Sequence, residues 1–525
     1  MVVKGFVRKG EYHDSVTLMR VAKFLSEQAG VSDSAIVMAT EENKHVLSAA
    51  GLAFPEIRNA VETDLIMVVK VESADKAEDL LAEASRELKA RNKNSEISYQ
   101  PKSLDSALKI LPTANFALIS VAGRYAGDEA MKALQRGLHV MLFSDNVSIE
   151  KEIELKTYAA SKDLLVMGPD AGTAIINGVP LAFANNVRRG NVGIVAASGT
   201  GLQEASTLIS NYGAGISQAI GTGGRDVKEK VGGLMFLQAV KLLLDDPDTK
   251  VILLISKPPH ESVLKKIIAA VKNTGKPVIT TFLGSDPTPI LKAGLIPTIT
   301  LDEGAWKAAR MVMGRSAAES VLEVNQDISR TRAQLDTTAA QLTSTLAKTQ
   351  QYLRALYTGG TYVGETQVLL NGKIKNIFSN APWGESKIAL DSMKSQFNTI
   401  IDFGEDEFTV GRPHPMIDFS LRNRRILEEA RDPETAVLLL DLVLGWGAHK
   451  DPLAELIPVL REAQTIAKTA GRQLPIVMCI TGTDTDPQCR SRVVTAIKEC
   501  GVIVVESNAG AAYLVGKIVQ SVRQS

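Results

Sequence analysis

Apolar positions in this chain fall into two alternating patterns. Short unbroken runs stop at Gly, Ser, Thr or Asp, and longer stretches repeat every three or four residues. Over residues 1–97, VVKGFVRK, SAIVMAT and DLIMVVKV predict strands. DSVTLMRVAKFLSEQAG predicts a helix with Leu18, Val21, Ala22 and Leu25 on one face and Gly30 as its stop. A second helix, SADKAEDLLAEASRELKA, starts behind Ser73 as N-cap. This small α/β unit has no chemical signature. Over 98–190, NFALISVAG, GLHVMLFS and DLLVMGPDAG alternate with helical patterns, which predicts parallel strands joined by right-handed crossovers. Ligands gather at the carboxyl ends of such strands. The tips Arg124, Ser144, Asp145, Asn146 and Asp170 therefore mark a candidate cofactor crevice.

Residues 191–313 and 351–525 repeat one pattern. Each opens with a strand, a Ser/Thr-Gly corner and a helix: VGIVAASGTGLQEA from Val192 and ALYTGGTYVGETQVLL from Ala355. Ser198 and Thr358 are 160 apart, Asp246-Pro and Asp432-Pro 186, Pro277 and Pro475 198, and Gly294 and Gly501 207. Offsets that grow in order indicate a duplicated domain with loop insertions. Between the copies, residues 314–350 place Val321, Val324, Ile328, Leu335, Leu342 and Leu346 at helical spacing. That predicts a linker helix lying on a domain; the pattern is short for a coiled coil.

A length of 525 residues implies three or four domains. Lys plus Arg and Asp plus Glu are both 59, which gives no electrostatic case for nucleic acid or an acidic membrane. Hydrophobic residues at 45% with aromatics at 5% suit the aliphatic cores of α/β layers. Cys479, Cys489 and Cys500 lack metal or disulfide spacing and read as reduced thiols. With no signal peptide and no membrane span in the pattern, the expectation is a soluble cytoplasmic protein.

The corners carry the clearest chemistry. A helix N-terminus leaves backbone N–H groups unpaired and holds roughly half a positive charge. Ser198-Gly199-Thr200-Gly201 and Thr358-Gly359-Gly360-Thr361 therefore suit phosphate or carboxylate. An ordinary capped turn explains one copy as well; two copies facing across a pseudo-two-fold would aim both poles at one anion. Glu204 and Glu365 follow in the first turns, where they could cap, accept a proton or bind a cation. GTGGRD offers Gly223, Gly224, Arg225 and Asp226 to a substrate, or else forms a turn with an Arg–Asp ion pair. EDEFTVGRPHPMID gathers Glu405, Asp406, Glu407, Arg412, His414 and Asp418, with Pro413 and Pro415 fixing the histidine for binding or acid–base work. Arg412 could clamp a carboxylate. TGTDTDPQCR adds Thr481, Thr483, Asp484, Asp486 and Arg490, and Cys489 reads as structural.

Taken together, GNVGIVAASGTGLQEA, AIGTGGRDV, LYTGGT, FTVGRPHPMID, TGTDTDPQCR and MGPDAGTAIINGVPLAFAN resemble the FdrA family, an offshoot of the succinyl-CoA synthetase (NDP-forming acyl-CoA synthetase) superfamily. The resemblance implies a multidomain α/β protein. Its expected parts are a small N-terminal α/β domain (1–97), a Rossmann-like CoA-binding-type domain (98–190), and two flavodoxin-like ligase domains (191–313 and 351–525) joined by a helical linker (314–350). It also implies that the two corner helices oppose each other as the superfamily's power helices do. The family's phosphohistidine loop is absent, since no histidine lies between His260 and His414, and no ATP-grasp domain is recognisable. The implied function is a component of an oxamate carbamoyltransferase in allantoin and purine breakdown, working with partner subunits. Carbamoyl phosphate would sit between the corners, with Arg225, Arg412 or Arg490 on the carboxylate of the second substrate. Glu204, Arg225, Arg412 and His414 form the expected catalytic set. A CoA-binding ligase subunit and a non-catalytic regulatory subunit are the alternatives. CoA is the one cofactor the resemblance allows, and no metal is expected.

Overall fold

The computed structural model of the chain describes residues 2–522 except 12, 14, 27, 91–100, 102, 122, 273 and 410–412. The expected boundary at residue 97 lies outside the described residues, as does Arg412.

In the first unit, β1 (Val2–Arg8), β2 (Val31–Met38) and β3 (Leu65–Val71) form an antiparallel sheet in the order β1-β3-β2. β3 is apolar except for Lys70 because both of its faces are covered. Leu65, Met67, Val69 and Val71 share a core with Leu18, Leu25 and Leu81, while Ile66 and Val68 join Leu47, Leu52 and Phe54.

Next come β4 (Phe116–Ile119), β5 (His139–Leu142) and β6 (Val166–Met167), a small parallel sheet. The boundary expected at 190 is displaced. β7 (Thr173–Ile176) and β8 (Val179–Ala182) leave this sheet and extend the following one. Asn177 and Gly178 between them have φ of 50° and 82°, the left-handed pair that a tight Asn-Gly hairpin requires. The Asn-Gly pair in TAIINGVPLA is the sequence signal of this hairpin.

The two large sheets share a run of five strands. The first holds β9 (Arg189–Ala196), β10 (Ile216–Gly221), β11 (Val251–Ser256), β12 (Val278–Phe282) and β13 (Ile296–Pro297) in the order β13-β12-β11-β9-β10-β7-β8. The second holds β14 (Tyr352–Tyr357), β15 (Ile377–Ser379), β16 (Lys387–Ile388), β17 (Asn398–Asp402), β18 (Thr435–Val443), β19 (Ile476–Thr481) and β20 (Ile503–Val505). Its order is β16-β15-β17-β14-β18-β19-β20. The run β13-β12-β11-β9-β10 therefore repeats as β20-β19-β18-β14-β17.

Four helices fill the space between these sheets: the two corner helices (Gly199–Asn211 and Gly360–Leu370), a closing helix (Leu301–Val312) and the terminal helix (Asn508–Val522). One core runs through them and includes Leu202, Ile209, Ala305, Val363, Leu514 and Ile518 from both halves. Every residue from Thr200 to Ser210 is buried, as expected of a helix enclosed on all sides. The expected linker helix is present as Ala317–Thr343, opened by a Ser316–Glu319 capping box. It lies along the closing and terminal helices and buries Val324 and Ala339.

Candidate functional site

The two corners meet. Ser198 caps the first corner helix, its hydroxyl accepting the Gly201 N–H at 3.1 Å, whereas the second is capped by Gly359 without a side-chain bond. The copies thus align at Ser198/Gly359 and Glu204/Glu365, one residue beyond the match of Ser198 with Thr358 that residue types suggest. Thr358 is the counterpart of Ala197 and turns inward. Its N–H and hydroxyl both donate to the buried Asp441, at 2.9 and 2.6 Å, which removes its side chain from the expected phosphate ligands. Across the interface, Ser198 Oγ lies 2.6 Å from Thr361 Oγ1. A Cβ placed on Gly359 would stand 2.6 Å from Thr200 Cγ2, so glycine sets how closely the helices approach. The N–H groups of Gly199, Thr200, Gly360 and Thr361 have no partner among the described residues. Gly199 is exposed and Gly360 partly so, and both positive poles open at one place.

Beneath the poles, each glutamate accepts a backbone N–H from the opposite half. Glu204 accepts the Asn508 N–H at 2.8 Å. Glu365 accepts the Leu301 N–H and the Asn508 Nδ2, each at 2.8 Å. Burial, and then the charge of Asp302, pushes Glu365 up to about 8. Burial, and then Glu365, raises Glu204 well above the usual carboxylate range. Sealed from solvent and inclined to keep a proton, Glu204 ties the first corner helix to the terminal helix, a structural setting for the residue expected to be catalytic.

At the rim of the second corner stands Asp402, whose carboxylate neighbours Gly360 and accepts the Gly404 N–H at 2.8 Å. Burial, and then Glu405, pushes it up to about 7. His414 lies beside it: a Cβ on Gly404 would be 3.0 Å from Asp402 Oδ1 and 3.4 Å from His414 Nε2. Desolvation lowers His414 to about 4, so the ring is neutral. Its Nδ1 accepts the Met416 N–H at 3.2 Å, which leaves the proton on Nε2. His414 therefore faces the site as a hydrogen-bond donor, not as a base. The sequence reading missed Asp402, and also Lys257 at the tip of β11. Lys257 Cε would lie 3.9 Å from a Cβ on Gly364, its charge acts on Asp402, and among the described residues it has no ion pair. Its signal was position: the first cation after the buried run VILLIS.

The other expected ligands are engaged elsewhere. Arg225 pairs with Glu152 at 2.8 Å and donates to Val147 O, and Asp226 takes the buried Lys156 at 2.8 Å and the Phe236 N–H at 2.7 Å. They tie helix Ile149–Ala160 to the glycine loop and do not pair with each other. Gly223, at φ +85°, fits against Pro169 O, and Gly224 is exposed. Arg490 donates to Ile480 O and pairs with Glu506. Thr483 and Asp486 clasp Asn186, through its carbonyl at 2.6 Å and its N–H at 2.7 Å. Asp484 accepts the Ser491 N–H, and Thr481 meets the Tyr362 hydroxyl. Arg124 pairs with Glu62 in the first unit.

The crevice expected to take a cofactor is acidic. Ser144 donates to Val121 O, and Asn146 takes a left-handed φ of 53°. Burial, and then Asp145, pushes Asp170 up to about 6, and the charges of Asp406 and Glu405 add to the effect. Such a wall repels a diphosphate.

Three family models match the chain: "AllF, heavy metal-associated domain" over 1–103, "CoA binding domain" over 187–284 and "CoA-ligase" over 356–518. The CoA-binding match falls on the first large sheet, not on 98–190 where that type of domain was expected. Residues 1–103 contain no cysteine, and no described cluster could hold a metal ion. The uncharacterized protein YahF of Escherichia coli K12 is 42% identical over 516 residues, 98% of each chain. The succinate–CoA ligase α subunit of Aquifex aeolicus is 28% identical over 231 residues, 42% of this chain and 73% of that one. Among solved structures, the dinucleotide-forming acetyl-coenzyme A synthetase 1 of Ca. Korarchaeum cryptofilum covers 78% of this chain and 83% of its own at 16% identity and a TM-score of 0.29. No described helix is long and apolar enough to cross a membrane.

Proposed function

Since the chain belongs to the FdrA family of the succinyl-CoA synthetase superfamily, we propose that its paired corners bind the phosphoryl group of an acyl phosphate, carbamoyl phosphate first. The protein then acts as one component of an oxamate carbamoyltransferase in allantoin and purine breakdown. The observation that carries this reading is the meeting of two helix poles at Ser198 and Thr361, 2.6 Å apart, in a chain with no histidine between 260 and 414 to receive the phosphoryl group.

In the proposed reaction the amide nitrogen of oxamate attacks the carbamoyl carbon. The bond between the carbamoyl carbon and the bridging oxygen breaks, and phosphate leaves with that oxygen and the electron pair while the nitrogen loses a proton. Each pole stabilises the departing charge by about 0.3–1 kcal/mol, and by up to ~2 where solvent is excluded. The His414 Nε2–H and the Lys257 ammonium add donors at the rim, and Asp402, titrating near neutrality, can take or return the proton. The acceptor's carboxylate is assigned to Arg412 on sequence alone. Turnover is expected only with partner subunits present.

Gly199→Val tests the site cleanly, because the nearest atom to an added Cβ is Thr173 Oγ1 at 3.6 Å. Carbamoyl phosphate should raise the melting midpoint of the natural chain and leave that of Gly199→Val unmoved. Equal shifts in both proteins would sink the reading. A CoA ligase subunit is the second reading, favoured by the CoA-binding match over 187–284. It predicts that CoA gives the larger shift.

A further inference from the structure

A separate cavity of about 590 Å³ lies between the long helix Ala317–Thr343 and the terminal helix. It is lined by Trp306, Arg332, Lys373, Tyr513 and Lys517 over an apolar floor that includes Leu335. That volume is within the ordinary range for metabolite pockets.

The wall carries three cations, Arg332, Lys373 and Lys517, and one indole N–H. The Arg332 guanidinium lies 5.3 Å from the Tyr513 ring centre, and the Lys517 ammonium also lies 5.3 Å from it. Lys517 is partly neutralised by Asp336 at 3.4 Å, and Tyr513 donates to the same carboxylate. Arg332, Lys373 and the Trp306 indole N–H have no hydrogen-bond or ion-pair partner among the described residues. Of the acids in the wall, Glu506 is taken by Arg490, and Asp302 is buried under Ser507 and Thr300. Burial, and then the charges of Arg332 and Lys517, lowers the pKa of Lys373, so the three cations sense one another. Unspent donors and positive charge call for an anion, and the indole and leucines for a ring or apolar body.

We propose that this cavity binds a nucleotide-sized organic phosphate, with its ring against Trp306 and its phosphate on Arg332 and Lys373. The site is independent of the corners but touches their support. Ser507 lines the cavity, and the next residue, Asn508, holds both Glu204 and Glu365.

Calorimetric titration of the full-length Gly199→Val chain, which carries a branched side chain at the first corner, tests the proposal directly. The ligands are AMP, ADP, CMP, CDP, adenosine and inorganic phosphate. At least one nucleotide should bind tenfold or more tightly than either adenosine or phosphate, and quench tryptophan emission in a way that Trp306→Phe abolishes. R332E/K373E, two changes at exposed side chains, should weaken that nucleotide at least tenfold with the melting midpoint retained. Nucleotides that bind no better than phosphate, or equally well in R332E/K373E, overturn the proposal. Neither result depends on whether carbamoyl phosphate binds at the corners.

Discussion

The two halves share a strand order, a corner and a buried glutamate, yet they support the corner by opposite means. In the first half the positions behind it are apolar: Ala197, Ile255 and Phe236. Their counterparts in the second half, by strand and helix register, are Thr358, Asp441 and Arg422. Thr358 donates to Asp441, and Arg422 pairs with Asp441 at 2.9 Å, with all three side chains buried. Burial opposes both charges, and Arg422 Nε and Nη2 have no partner among the described residues. A helix pole thus persists through duplication whether it rests on hydrocarbon or on an ion pair. What the fold keeps is the direction of the helix, and the chemistry behind it can vary.

The largest effect should come from making the halves alike. Asp441→Ile alone strands Arg422 and should cost about 3–5 kcal/mol in urea denaturation. T358A/R422F/D441I, which copies the first half's residues, should recover most of that loss, since apolar replacement of buried ion pairs is often neutral. A triple variant as unstable as the single one would mean that the halves are not interchangeable here.

The paired glutamates predict a pH effect. A carboxyl whose pKa is raised on folding holds its proton more tightly folded than unfolded, so stability falls as pH climbs above ~4.3, continuing to about 8 for Glu365. Glu204→Gln can still accept the Asn508 N–H and carries no charge. Its melting midpoint should exceed that of the natural chain by a few degrees at pH 8 and match it at pH 5. A difference that does not vary with pH would exclude this account.

Asp402 sets a milder dependence on the ligand side. Below about 7 it is neutral and can donate to phosphate; above that its charge repels the anion. Phosphate affinity should therefore weaken several-fold between pH 6 and 8, and Asp402→Asn should flatten the profile. The smallest effect belongs to the cap that only the first corner has: Ser198→Ala should cost about 1 kcal/mol, measured by denaturation. The same loss from Thr361→Ala would show that the contact between corners outweighs the cap.

The sequence carried the duplication well, because strand order follows from repeated patterns of apolar runs and turn residues. It misplaced the register by one because Thr358-Gly-Gly-Thr resembles Ser198-Gly-Thr-Gly in composition, and only backbone geometry shows which residue caps. Arg225, Asp226 and Arg490 were read as ligands because a charged residue at a strand tip looks the same in sequence whether its partner is a substrate or a distant helix. Glu152 and Lys156, which claim the first two, lie on another element. Asp402 escaped notice because its importance arises from burial beside Gly360, which no spacing encodes. The corners were legible as corners because the pattern occurs twice; one copy alone reads equally well as an ordinary capped turn.

The bond from the Asn508 N–H to Glu204 spans 304 residues, and this imposes an order on synthesis. At about 5–20 residues per second, a ribosome needs on the order of 15–60 s after making the first corner before the residue that secures its glutamate exists. Until then the first half must shelter an acidic side chain with no companion, an interval in which a chaperone would have reason to hold it.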